Sequence, residues 1–205
     1  TLFGAEPVTG SSDASDDQSF YTENFDGNLD AWASFMTSGI DSQVTTGVEN
    51  GNLSVQLSPY EDKLPRFYLV NNTYSYSQVA VELISTNIGN NSNGVSLICQ
   101  YSDAGWYEFT MSNAGLYSIN VYEPSAGYVQ LAGGGSAAIK AGKNTNSYEA
   151  VCNGNELSIR VNDELVYTIV DTKYNFSDGK IGIGVSSPDL LPVDVSLDAL
   201  TVSQP

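Results

Sequence analysis

The sequence predicts an all-β protein, with two antiparallel sheets packed as a jelly-roll sandwich. Three observations predict it. From Phe20 to Val202 the chain is a series of short runs rich in Val, Ile, Leu, Tyr and Thr, separated by Gly, Asn, Asp and Ser. No window holds a 3.6-residue apolar period over a helix length. Several separators are the dipeptides that tight hairpins demand: Asn153-Gly154 between YEAVC and ELSIRV, and Asn162-Asp163 between LSIRV and ELVYTIV, supply residues that tolerate φ > 0. Many short strands at this spacing build two packed sheets.

In chain order the expected strands are 19–24, 43–49, 52–57, 66–70, 78–85, 94–102, 106–112, 115–123, 128–132, 146–152, 156–161, 164–170, 179–186 and 193–203. Asn50-Gly51-Asn52 and Ser112-Asn113-Ala114-Gly115 mark further turns. Alternation along three central runs assigns their faces. Leu97, Cys99, Tyr101, Tyr107, Phe109, Met111, Tyr117, Ile119 and Val121 share an apolar face, which is core. The opposite face collects Gln100, Trp106, Glu108, Thr110, Ser118, Asn120 and Tyr122. Residues 1–18 read as an extension or linker, with apolar Leu2, Phe3 and Val8 ahead of a Ser/Asp/Gly tract. Residues 19–205 then form one domain.

Composition narrows the chemistry. The 205 residues carry 7 Lys and Arg against 24 Asp and Glu, a net charge of −17. Such a surface repels phosphate backbones and anionic membranes, and tolerates divalent cations and neutral sugars. There is no His, which removes the commonest general base and the commonest transition-metal ligand together. No apolar run approaches the roughly 18–20 residues of a spanning helix. A chain beginning at Thr1 is expected to be a mature form whose leader has been removed. Cys99 and Cys152 suit one disulfide in an oxidising compartment, the alternative being two buried thiols. The core-facing phase of both makes a bridge inside the sandwich sensible. Sequons begin at Asn52, Asn71, Asn90 and Asn175, and support exposed loops more than they support glycosylation.

Three segments carry a family resemblance. Asn24-Phe25-Asp26-Gly27 with Leu29 and Trp32 resembles the N-terminal strand and turn of concanavalin A-like lectin/glucanase sandwiches. Gly179-Lys180-Ile181-Gly182-Ile183-Gly184-Val185 and the closing Val195–Val202 run are similar to two of their later strands. Cys99-Gln100-Tyr101, Trp106-Tyr107-Glu108-Phe109, Cys152-Asn153-Gly154-Asn155 and Val161-Asn162-Asp163 add a likeness to bacterial surface and lipoprotein-borne members. The resemblance spans residues 20–203 and implies the sandwich fold. Glucanases of this type carry E-x-D-x-x-E or E-x-D-x-E on one strand, and retaining hydrolysis needs two carboxyl groups about 5–5.5 Å apart. The sequence has no such pattern, so it is expected not to be an enzyme. The resemblance also implies one structural calcium ion, with Asp198 as side-chain ligand and Glu23 or Asn24 and Gly51 supplying carbonyls. Hard oxygen donors in an acidic chain suit that ion. The alternative is that Asp198 pairs with Lys180 or ends a strand.

Two functions compete. The first is a glycan-binding or adhesive module at the cell surface, using Trp106 and Tyr122 with Gln100, Glu108, Thr110, Ser118 and Asn120; the alternative is an ordinary solvated sheet. The second is a self-assembling subunit of an extracellular filament, sheath or surface layer, whose Leu2, Phe3 and Val8 add a strand to a copy of itself. Glycoside hydrolase or lyase activity ranks third.

Overall fold

The computed structural model describes residues 20–205. Leu2, Phe3 and Val8, and with them the expected strand addition, lie outside the described residues. The strands are β1 (Tyr21–Glu23), β2 (Trp32–Ser38), β3 (Val44–Glu49), β4 (Asn52–Leu57), β5 (Arg66–Asn71), β6 (Gln78–Asn87), β7 (Gly94–Ser102), β8 (Gly105–Ser112), β9 (Leu116–Glu123), β10 (Gly127–Gly135), β11 (Thr145–Asn153), β12 (Glu156–Val161), β13 (Glu164–Val170), β14 (Lys180–Ser186) and β15 (Val193–Ser203). One 3₁₀ turn, Asp41–Gln43, precedes β3. All pair antiparallel in two sheets. One runs β13-β12-β11-β6-β15-β4-β3, with β1 also on β15; the other runs β10-β9-β8-β7-β14-β5-β2. The all-β jelly-roll expectation holds.

The apolar halves of the alternating strands meet between the sheets. Leu53, Leu83, Leu97, Tyr107, Phe109, Tyr148, Ile159 and Leu197 are completely buried there. Cys99 on β7 and Cys152 on β11 form a disulfide that ties the two sheets together through this core. The hairpin dipeptides do what the sequence requires of them: Asn162 and Asp163 both take positive φ, 51° and 68°, between β12 and β13.

Two departures from the sequence reading matter for the site. The first is β2, which was not expected. Its WASFMTS text lacks β-branched alternation, yet it pairs with β5 as the edge of the seven-stranded sheet. The second is a bulge in β7 between Cys99 and Ser102. Gln100 takes φ 54° there, and the extra residue reverses the phase that follows. Tyr101, expected in the core, therefore joins Trp106 and Phe35 on the outer face, with ring centroids 5.2 and 5.6 Å away. Gln100, expected on that face, is fully buried and donates its amide to the Ser77 carbonyl at 3.1 Å.

Candidate functional site

The outer face of the seven-stranded sheet divides into two halves. Across one half lie aromatic side chains from five strands: Phe35 (β2), Tyr68 (β5), Tyr101 (β7), Trp106 (β8) and Tyr122 (β9), with Tyr128 of β10 at its margin. Trp106 stacks on Tyr122 at 4.1 Å, Tyr122 meets Tyr128 at 4.8 Å, and Phe35 stacks on Tyr68 at 5.2 Å. Glycine makes room for this layer. A Cβ on Gly184 of β14 would fall 2.6 Å from the Tyr68 ring, so glycine alone lets that ring lie across the neighbouring strand.

Beneath the rings sits Glu108, fully buried. A buried carboxylate must be hydrogen-bonded to be tolerated, and Glu108 is. It accepts from the Tyr68 hydroxyl at 3.1 and 3.2 Å, Ser96 Oγ at 2.9 Å, Thr110 Oγ1 at 3.2 Å and Trp106 Nε1 at 3.3 Å. Tyr68 in turn contacts the Tyr128 hydroxyl at 2.7 Å, which contacts Thr37 Oγ1 at 2.6 Å. Burial first, then the charge of Glu108, pushes the Tyr68 phenol well above its usual range; the same two causes push Tyr128 up to about 12. Burial disfavours the Arg66 charge, but Tyr68 and Glu108 more than offset it and hold the guanidinium above its ordinary value. That guanidinium lies 4.5 Å over the Tyr128 ring.

The other half is open. A groove of about 650 Å³ runs over β8, β9 and β10, bordered by the turns before β7 and after β14. Thr110, Ser118, Asn120 and Gln130 line it with amides and hydroxyls, while Arg66 and Tyr128 close the end beside the aromatic half. Gly133, Gly134 and Gly135 leave backbone bare along its β10 side.

Of the expected ligand-binding residues, Thr110, Ser118 and Asn120 line the groove. Trp106 and Glu108 are buried and reach no ligand directly, a correction with one cause: on this face the layer of rings covers them. Tyr122 stays half-buried, stacked on Trp106, and Gln100 is removed by the bulge. Arg66, Tyr128 and Gln130 were missed. The 127–135 strand is longer than its read length, because its glycine-rich end carries no side-chain alternation to betray it.

The expected calcium ligands lie in two pairs on the other sheet, Glu23 near Asp198 and Asn24 near Gly51. Glu23 pairs with Leu200, beside the β15 bulge where Asp198 stands exposed. The Glu23 carboxylate accepts from the Phe25 N–H at 2.8 Å. Lys180 donates to Asn72 at 2.6 Å. A Cβ on Gly51, which has φ 75°, would meet Asp26 Oδ1 at 3.1 Å and the Asn24 carbonyl at 3.4 Å. A carboxylate and a carbonyl thus converge on bare backbone, and Asp26 joins the candidates. Among the described residues no three His, Cys, Asp or Glu side chains cluster, so an ion here would draw largely on carbonyls and water.

No family model matches the sequence, and no curated protein sequence matches it. Solved structures do. A carbohydrate-binding module, CBM66 from Bacillus subtilis, superposes with a TM-score of 0.64 at 15% identity, covering 85% of this chain and 96% of that one. A laminarinase from Flavobacterium sp. UMI-01 gives 0.63 at 12% identity, over 90% and 99%. A β-1,3-1,4-glucanase (lichenase) from a mouse hindgut metagenome gives 0.64 at 14% identity, over 91% and 99%. At these identities the likeness establishes the fold alone: a jelly-roll sandwich of two antiparallel sheets, the architecture these structures share. It also corrects the expectation that the chain is no enzyme. Most of the similar structures are glucanases, so a missing strand pattern does not separate this chain from catalysts of the same fold.

Proposed function

We propose that the chain is an extracellular carbohydrate-active sandwich that holds a glycan along the outer face of its seven-stranded sheet. The observation that carries this is the groove beside the aromatic half. Its volume, about 650 Å³, lies in the range typical of ligand pockets, roughly 300–1,000 Å³. Its lining of hydroxyls, amides and bare backbone suits polyols. Tyr128, shared between the two halves, offers a ring on which a sugar C–H face can stack. The groove holds one guanidinium and one exposed carboxylate, Asp189; its polar groups sit beside apolar Leu116, Tyr117 and Pro188, so hydrogen bonding and apolar contact would share the recognition. Similar structures that bind or cut glycans support the reading. The buried disulfide fits an oxidising compartment, and no helix among the described residues is long and apolar enough to cross a membrane.

The test is titration calorimetry with laminarin, mixed-linkage glucan and a panel of other polysaccharides. At least one should bind, and Asn120→Ala together with Tyr128→Ala should weaken it by about tenfold or more, the loss of one or two hydrogen bonds and a stacking ring. Reducing-end release from the same polysaccharides measures cleavage separately. Absence of binding across the panel rejects the reading.

A further inference from the structure

Glu108 touches no solvent, yet it dictates how the groove can bond. Resting on the glycan-binding reading, we infer that the Glu108 carboxylate fixes the Tyr128 and Thr110 hydroxyl oxygens as hydrogen-bond acceptors toward the groove. The end they line then selects glycans whose hydroxyls there are free, over the same glycans carrying O-alkyl or O-acyl groups.

The argument follows the protons. A carboxylate has none to give and accepts only, whereas a hydroxyl has one proton and two lone pairs. Tyr68 must therefore spend its proton on Glu108. Its contact with Tyr128 then has one direction: Tyr128 donates and Tyr68 accepts. Tyr128, its proton spent, accepts from Thr37. On the other side Ser96 and Thr110 both donate to the same carboxylate oxygen and lie 2.9 Å from each other. Whichever of these bonds is made, the Thr110 proton points inward. Thr110 and Tyr128 both line the groove, so both present lone pairs to it.

Two charged groups face this end and leave the direction of those bonds unchanged. Arg66 brings donors of its own, but its guanidinium lies over the Tyr128 ring face and bonds Tyr68, and Asp189 accepts from the Ser92 hydroxyl. Ser118 receives the Asn120 amide at 2.9 Å and keeps its own proton for the groove, so donors reappear farther along. A sugar hydroxyl over Thr110 or Tyr128 supplies the proton that these two oxygens cannot give. An ether or ester oxygen sets lone pair against lone pair. Sites built to bond a hydroxyl reject analogues that lack it far more strongly than apolar pockets reject a methylene. Glu108 is thus a positioning residue.

The experiment compares each polysaccharide that binds with its O-methylated derivative, in wild type, Glu108→Gln and Thr110→Val. Wild type should prefer the unmethylated form by about tenfold or more. The amide of Glu108→Gln needs acceptors, so one surrounding hydroxyl must turn its proton outward, and the preference should shrink several-fold while thermal melting shows a folded protein. A purely steric rejection of methyl groups would not respond to this isosteric change. Thr110→Val, at a half-buried position, should shrink the preference as well and serves if Glu108→Gln does not fold. Equal wild-type affinity for both forms, or an unchanged preference in a folded variant, overturns the inference while glycan binding stands. If no polysaccharide binds, the functional reading fails and takes the inference with it.

Discussion

At the scale of single residues, buried carboxylates hold the loops and faces of this protein in place. Asp171, just after β13, accepts from the N–H groups of Lys173, Tyr174 and Asn175 at 2.8–3.2 Å and from the Tyr107 hydroxyl. Burial alone would raise its pKa, but these four donors outweigh burial and hold it below the usual carboxylate value. The folded pKa is thus depressed. Its stabilisation is fully present above the unfolded value, roughly 3.9, and fades as pH falls through the folded one. Asp171→Asn should cost about 1–3 kcal/mol at neutral pH and flatten the acid limb of the stability curve. Urea midpoints between pH 2 and 7 would measure both; an unchanged limb would remove Asp171 from the account. None of these partners was legible in the sequence, since they come from residues 64 positions apart as well as from the loop itself.

At the scale of elements, alternation was a reliable guide until a bulge or a glycine intervened. Strands β4, β12 and β13 lie at their expected bounds: β4 and β12 alternate cleanly, and Asn50-Gly51, Asn153-Gly154 and Asn162-Asp163 mark where the three strands begin. One extra residue at Gln100 was enough to exchange the roles of Gln100 and Tyr101, and nothing local in Cys-Gln-Tyr-Ser announces it. Three of the seven expected binding residues, Thr110, Ser118 and Asn120, survived as the groove floor, on β8 and β9. The covering rings of β2 and β5 come from strands distant in sequence and could not be placed over Trp106 by pattern. Gly184 is the element-scale test. Its Cβ would strike Tyr68 at 2.6 Å, so Gly184→Val should destabilise by about 1–3 kcal/mol through overpacking and displace Tyr68 from Glu108. Denaturant midpoints and tyrosine fluorescence would follow the two effects, and a wild-type midpoint would show that the aromatic layer yields freely.

At the scale of the whole molecule, two ends of the sandwich are held by different means. The disulfide joins the sheets through the core, whereas β1 meets β15 over only three residue pairs. A calcium ion held by Glu23 or Asn24, Gly51 and Asp198, with Asp26 added by its approach to Gly51, would strengthen that second junction. Binding to the native state alone raises the melting temperature, so calcium should raise it and chelator should lower it, with Asp26→Ala and Asp198→Ala each abolishing the difference. No calcium response in the wild type would reject the ion. The central claim, that a glycan lies in the groove and not elsewhere on this acidic surface, is tested most directly by backbone amide NMR of the labelled protein titrated with a glucan oligosaccharide. The account predicts shifts concentrated on Thr110, Ser118, Asn120, Tyr128, Gln130 and Gly133–Gly135. Saturable shifts confined to the eight-stranded sheet or its edges, with these amides unmoved, would contradict it.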